Sequence, residues 1–176
     1  MDIAIDPVVE AQYKELEQKI KENTAIGDTS RIRAAFEYAY AAHGDQKRKD
    51  GSPFITHPIA AAEIVAEMGL DEDSVIAALL HDTIEDTSVT HEDVEKKFGK
   101  DVAEIVEGVT KLTRVVYTSK EEEQMDNIRK MFMAMAKDIR VILIKIADRL
   151  HNMRTMEYQT ESKQREKALE TMEIYA

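Results

Sequence analysis

The sequence predicts an all-α helical bundle. Apolar residues recur at helical spacing in nearly every segment, helix-start residues precede most of those segments, and strand signals are few. With 176 residues and 43% hydrophobic content, the chain fits one domain with a substantial core. A first helix is expected over about residues 8–23. A second covers about 30–43 and opens near the capping residues Asp28, Thr29 and Ser30. The stretch GDQKRKDGSPF then interrupts the periodicity with two glycines and Pro53, so it is read as a loop. Thr56 ahead of His57-Pro58 has the form of an N-cap followed by an early proline. The helix it opens runs to about Met68, where Gly69 stops it, and His57 lies in its first turn. Asp71 caps the next helix, which is expected to carry His81 and Asp82. Thr90 with Asp93, and Ser119 with Glu122, resemble capping boxes opening later helices. The run DIRVILIKIADRLHNMRT is rich in β-branched residues and has strand character, but its length and its Ala-Asp-Arg-Leu continuation favour a buried helix. Met131, Phe132, Met133 and Met135 are read as core packing. A last amphipathic helix covers about 161–175 and stops without a cap, which suggests a truncated chain.

The net charge of −11 argues against a general nucleic-acid or anionic-membrane surface, because both need a basic field to recruit polyanions. An anionic ligand would need a local basic pocket. There is no cysteine, so disulfides and thiolate metal sites are excluded and any metal must be held by imidazole and carboxylate. The amino terminus lacks a signal pattern and no apolar run reaches membrane-span length, so a cytoplasmic protein is expected.

The segment HDTIED, His81 to Asp86, sets one histidine and three acidic residues against the apolar run Val75 to Leu80. On a continuous helix His81 and Glu85 are i and i+4, as are Asp82 and Asp86, so these side chains converge on neighbouring faces. Such a cluster at a core edge is destabilising by several kcal/mol unless a cation offsets it. His57, His81, Asp82 and Asp148 make the best metal set. Two imidazoles and two carboxylates suit Mn²⁺, Fe²⁺, Co²⁺ or Zn²⁺ and leave positions for water, as hydrolysis needs. Of the acidic pair, Glu85 is the favoured proton-transfer group because it lies one turn from His81, while Asp86 orients water or ligand; the two roles are exchangeable on adjacent faces. Asp148, Asn152 and Thr155 fall on one helical stripe. Arg48, between Lys47 and Lys49, stands in the strongest basic loop of an acidic chain. A guanidinium can stack on a purine or fork to phosphate.

HxxQxRKxGxPFxxHP, LLHDTIEDT, GVTKL, RKMFMAMAKDIRVILIKIADRLHNMRT and ETMEIYA closely resemble the amino-terminal hydrolase domain of RelA/SpoT homologues, a branch of the HD phosphohydrolases. The resemblance covers about residue 30 to the end. It implies an HD-domain helical bundle over 30–176; residues 1–29 match nothing strongly and are read from their periodicity as a helical extension. It also implies Mn²⁺ on His57, His81, Asp82 and Asp148, with Glu85 and Asp86 at the reacting centre. The implied substrate is guanosine tetra- or pentaphosphate, cleaved at its 3′-pyrophosphate to GDP or GTP and pyrophosphate in stringent-response turnover. Arg48 would pack on guanine, Lys49 belongs to the same loop, and Asn152 and Thr155 would contact the nucleoside. Synthetase and regulatory domains of longer family members are absent from the chain. Phe54 departs from the tyrosine common in the family. A general nucleotidase or a catalytically silent nucleotide-sensing module would carry the same metal motif. Lys47 is read as solvated, Arg154 as structural, and Arg149 is open between phosphate and ion-pair roles. His43 and His151 could each orient a ligand from behind, but both are read as satisfied histidines, and His91 has no assigned function.

Overall fold

The computed structural model describes residues 4–113 and 120–175, and the elements within them are helical. The order is α1 (Pro7–Asn23), α2 (Ser30–His43), α3 (Thr56–Glu67), α4 (Glu72–Leu80), α5 (Thr83–Asp86), α6 (His91–Phe98), α7 (Lys100–Thr113), α8 (Lys120–Lys137), α9 (Ile139–Arg154), a 3₁₀ turn (Met156–Tyr158) and α10 (Glu161–Tyr175). Among the described residues, the only β pairing is an isolated bridge between Lys47 and Pro53. No described helix is long and apolar enough to cross a membrane.

Helices α3 and α4 are apolar nearly all round, and such helices are stable only when covered on every side. They form the centre. α3 packs against α1, α4 and α9, while α4 also meets α2 and α7. Val9, Tyr13, Leu16 and Ile20 put one face of α1 into the same buried cluster as Phe36, Ile59, Leu79, Val106 and Ile144. The site lies where this centre reaches the surface: α3 supplies His57 at its start, α4 ends against His81, and α9 brings Asp148 alongside.

Three helix starts, those of α1, α6 and α9, carry a side-chain cap. The Thr90–Asp93 capping box is formed, and Asp138 caps α9 by accepting the Arg140 amide. The Ser119–Glu122 box lies outside the described residues, because Ser119 does. Thr56 is a helical residue rather than the cap; its hydroxyl donates to the Pro53 carbonyl at 2.7 Å and Ile55 holds the cap position. Asp71 stands at the N-cap of α4, but its carboxylate accepts from the Ser74 hydroxyl and pairs with Arg140 instead of an amide.

Two further expectations are corrected. α4 does not carry His81 and Asp82: it ends at Leu80, and the two residues form the turn into α5. His81 Nδ1 donates to the Ala78 carbonyl at 2.6 Å and Thr83 Oγ1 to the Leu80 carbonyl at 2.7 Å. Side chains thus take carbonyls that continuing helix amides would have used. Phe132 and Met133 are not core, being 67% and 59% exposed on α8. The expectation for Met131 and Met135 lies outside the described side chains.

α7 and α9 approach closely at Gly108, where an added Cβ would stand 2.9 Å from Val141 Cγ2. Gly108→Ala is expected to destabilise the fold by about 1–3 kcal/mol, as overpacking does. Denaturant midpoints measure this, and an unchanged midpoint would mean that the helices slide apart freely.

Candidate metal centre and its cavity

His57, His81 and Asp148 are buried and offer ligand atoms that all lie within 4.8 Å of one another. Asp82 Oδ2 is 3.1 Å from His81 Nε2 and 3.7 Å from His57 Nε2. Three of the expected ligands, from separate stretches of chain, therefore meet at one point, and the fourth, Asp82, stands beside the two histidines. Asp148 Oδ1 lies 2.7 Å from His57 Nε2 and accepts from Asn152 Nδ2 at 3.2 Å, while Oδ2 takes Lys145 Nζ at 2.8 Å. Burial pushes the Asp148 carboxyl up, but Lys145 and the two histidines overcome it and hold the group well below the carboxylate range. Burial likewise opposes charge on His81, yet Asp82 and Asp148 hold its imidazole well above the usual value. Asp82 shows the same contest, burial against His81 and His57, and its carboxyl is lowered.

His81 Nε2 supplies the test of fit to a metal. It is buried, it lies 3.1 Å from Asp82 Oδ2 and 3.4 Å from Asp148 Oδ1, and it is aligned for a hydrogen bond with neither. Because Nδ1 is committed to Ala78, a neutral ring turns its Nε2 lone pair toward those carboxylate oxygens. Acceptors that converge in this way require positive charge between them, either a proton or a metal ion. Two imidazoles and two carboxylates fit a borderline divalent cation.

A cavity of about 370 Å³ opens over this cluster. Its lining includes Asp82, Glu85, Asp86 and Asp148, together with Arg48, Lys145, Arg149 and Lys167. Burial, then the Asp82 charge, raises the Asp86 carboxyl. An adjoining cavity of about 220 Å³ is lined by Arg48, Lys49, Phe54, Asn152, Thr155 and Tyr158, with Lys47 on its wall as well. Arg48, Phe54 and Asn152 line both.

The loop expected between α2 and α3 is a tight turn rather than a free segment. The Arg48 amide donates to Ser52 O at 2.8 Å, the Phe54 amide to Gln46 O at 2.9 Å, and Gly51 supplies a φ of +85°. Half-buried Arg48 donates to Thr155 Oγ1 at 3.1 Å and Lys49 to Gln159 Oε1 at 2.6 Å, so the loop leans on the end of α9 and the turn after it. Burial lowers the Arg48 pKa.

Two contributors, Gln46 and Lys167, escaped sequence reasoning, and a third, His151, is read there as satisfied. Gln46 accepts at Oε1 from His43 Nδ1 at 3.0 Å and donates from Nε2 to Asp86 O at 2.8 Å, tying the loop to the turn that bears the acidic pair. Gln46 is a fixed position of the HxxQxRK motif, which was the signal available. Lys167 reaches the cavity from α10, with no local pattern to mark it. His151 Nδ1 stands 2.6 Å from His57 Nδ1; burial, then His57 and Arg48, brings its pKa down to about 4, so the ring is neutral at physiological pH.

The HD domain family profile matches residues 35–176. The chain is 51% identical over 164 residues to the bifunctional (p)ppGpp synthase/hydrolase SpoT of Escherichia coli strain K12, covering 93% of this chain and 23% of that protein. It is 45% identical over 172 residues to a probable guanosine-3′,5′-bis(diphosphate) 3′-pyrophosphohydrolase of Synechocystis, covering 98% and 22%. The chain thus spans less than a quarter of the length of these curated relatives. Among solved structures it is similar to a metazoan orthologue of SpoT described as hydrolysing ppGpp. That match has 30% identity and a TM-score of 0.71 over 85% of this chain and 86% of the other. Matched by that profile over most of its length, and bearing the RelA/SpoT-like motifs read from its sequence, the chain belongs to the HD domain family.

Proposed function

We propose that this chain is a metal-dependent phosphohydrolase that removes the 3′-pyrophosphate of guanosine 3′,5′-bis(diphosphate) or its pentaphosphate form, in the cytoplasm and in stringent-response turnover. One observation carries the reading. The cavity over the His57, His81 and Asp148 cluster holds four cationic side chains beside its four carboxylates, in a protein of net charge −11. Cations concentrated beside a metal cluster suit a phosphorylated substrate and serve no general polyanion surface. The names of the similar proteins support guanosine 3′,5′-bis(diphosphate) as that substrate.

In this reading His57, His81, Asp82 and Asp148 hold the cation, with Mn²⁺ the expected ion. When bound, a divalent cation lowers the pKa of water and polarises phosphoryl oxygens. Glu85, in the same cavity, takes the proton of the attacking water, and Asp86 orients that water. Attack on the inner phosphorus of the 3′-diphosphate breaks its bond to the 3′ oxygen and releases pyrophosphate with GDP or GTP. Arg48 covers the purine face, and Asn152 and Thr155 bond the nucleoside in the adjoining cavity, which Lys49 also lines. Residues 30–176 form the hydrolase domain and 1–29 a helical extension that braces α3. The synthetase and regulatory parts belong to other segments of a longer protein.

The test is turnover of purified protein with Mn²⁺ and a panel of guanosine and adenosine nucleotides, reading pyrophosphate against phosphate. Selective release of pyrophosphate from the 3′-diphosphate is expected. Orthophosphate from deoxynucleotides would favour a general nucleotidase, and no turnover at all a sensing module. Arg48→Ala is expected to raise KM roughly tenfold with kcat little changed, because a cation–π contact on the base is made equally in ground and transition states. Loss of kcat at unchanged KM would move Arg48 to the reacting phosphate.

A further inference from the structure

His57 and His81 reach the metal cluster by different means. His81 Nδ1 donates to a main-chain carbonyl, that of Ala78, which can only accept, so its Nε2 is committed to the cluster. His57 has no such partner. Its Nδ1 faces Nδ1 of His151 at 2.6 Å, and its Nε2 faces Asp148 Oδ1 at 2.7 Å.

Two ring nitrogens that close share one proton, and with a single proton on the His57 ring two arrangements are open. In the first, His57 Nδ1 carries the proton and donates it to His151, leaving the Nε2 lone pair directed at the cluster. In the second, His151 donates to His57, and His57 Nε2 carries a proton bonded to Asp148. Only the first makes His57 a ligand. An imidazole ligand generally donates its other nitrogen to an acceptor that fixes tautomer and ring orientation. At His57 the group placed to accept is the His151 ring on α9, one turn past Asp148.

We propose that His151 is a positioning residue that accepts the His57 Nδ1 proton and so holds His57 Nε2 in its metal-binding form. The inference rests on the proposed metal centre. It makes metal affinity depend on a side chain that does not itself touch the ion. Because His151 shares α9 with Asp148, the helix that brings a carboxylate to the cluster also sets the protonation of the facing histidine.

Equilibrium titration with Mn²⁺ after chelator treatment tests this without any activity measurement. His151→Ala is expected to weaken Mn²⁺ binding by roughly 10- to 100-fold, the usual effect of losing such an outer partner. His151→Asn, whose Oδ1 falls near the position of Nδ1, is expected to bind within a few-fold of the native protein. In the ¹⁵N imidazole spectrum of the Zn²⁺-loaded native protein, His57 is expected to carry its proton on Nδ1. His151→Ala binding as tightly as native, or His151→Asn losing as much as His151→Ala, overturns the proposal. Should the alanine variant fail to fold, the asparagine variant and the native spectrum decide. If His57→Ala abolishes binding while His151→Ala leaves it intact, the metal centre stands and the role of His151 falls. If the native protein binds no Mn²⁺, both fall.

Discussion

Glu85→Gln is expected to keep metal content and nucleotide affinity while lowering kcat by roughly 10²-fold or more, the scale of a general acid–base group. The amide is nearly isosteric and cannot take up the proton, so the loss would report chemistry rather than packing. Glu85 lies one helical turn from His81 only on a continuous helix, whereas the chain turns at His81 and Asp82 before α5 begins. Glu85 lines the metal cavity all the same, and so does Asp86, whose carboxyl is raised by burial and by Asp82. A raised carboxyl is better suited to exchanging a proton near neutrality, which makes Asp86 the rival for the role. Both amide variants, assayed at full metal occupancy, separate the two. Normal turnover by Glu85→Gln beside an inactive Asp86→Asn would transfer the proton role to Asp86.

Adding Mn²⁺ to chelator-stripped protein is expected to raise the Tm, and His81→Ala to remove most of that rise, because a ligand of the native state alone stabilises it with its free concentration. The pH dependence follows from the charges of the metal-free cluster. His81 is held well above 6.5, so its contribution to stability is complete below 6.5 and is lost as pH rises through the raised value. Asp148 is held well below 3.8, so its contribution is present above 3.8 and is lost as pH falls through the lowered value. Near neutrality the metal-free site is therefore a cationic His81 between two carboxylates. A metal must displace that proton, so affinity should rise by about tenfold per pH unit until His81 is neutral, with about one proton released. Calorimetry in two buffers of different ionisation enthalpy counts the proton. No thermal shift, with no metal found by elemental analysis of the native protein, would remove the metal centre.

What the amino-acid order determined by itself is what interactions a few residues long can decide. α2 spans Ser30–His43 and α10 Glu161–Tyr175, within a residue of the periodic runs, and the Thr90–Asp93 box forms as its spacing requires. The β-branched run through Val141 to Ile146 became a helix because its apolar residues are covered by α3 and α7, and packing overrides β propensity. Metal-type residues were legible by chemistry, since imidazole and carboxylate beside an apolar run need compensation wherever they fold. Tertiary structure decided how they are held. The His57–His151 pair joins residues 94 apart, Arg48–Thr155 joins residues 107 apart, and Gln46 reaches Asp86 across 40. No periodicity encodes such pairs, because each exists only once α3 has packed against α9 and the loop after α2 has closed over them. Phe132 shows the same limit from the other side. Apolar spacing marks a helical face as able to pack, but only the placement of neighbouring helices determines whether anything covers it, and on α8 that residue stays 67% exposed.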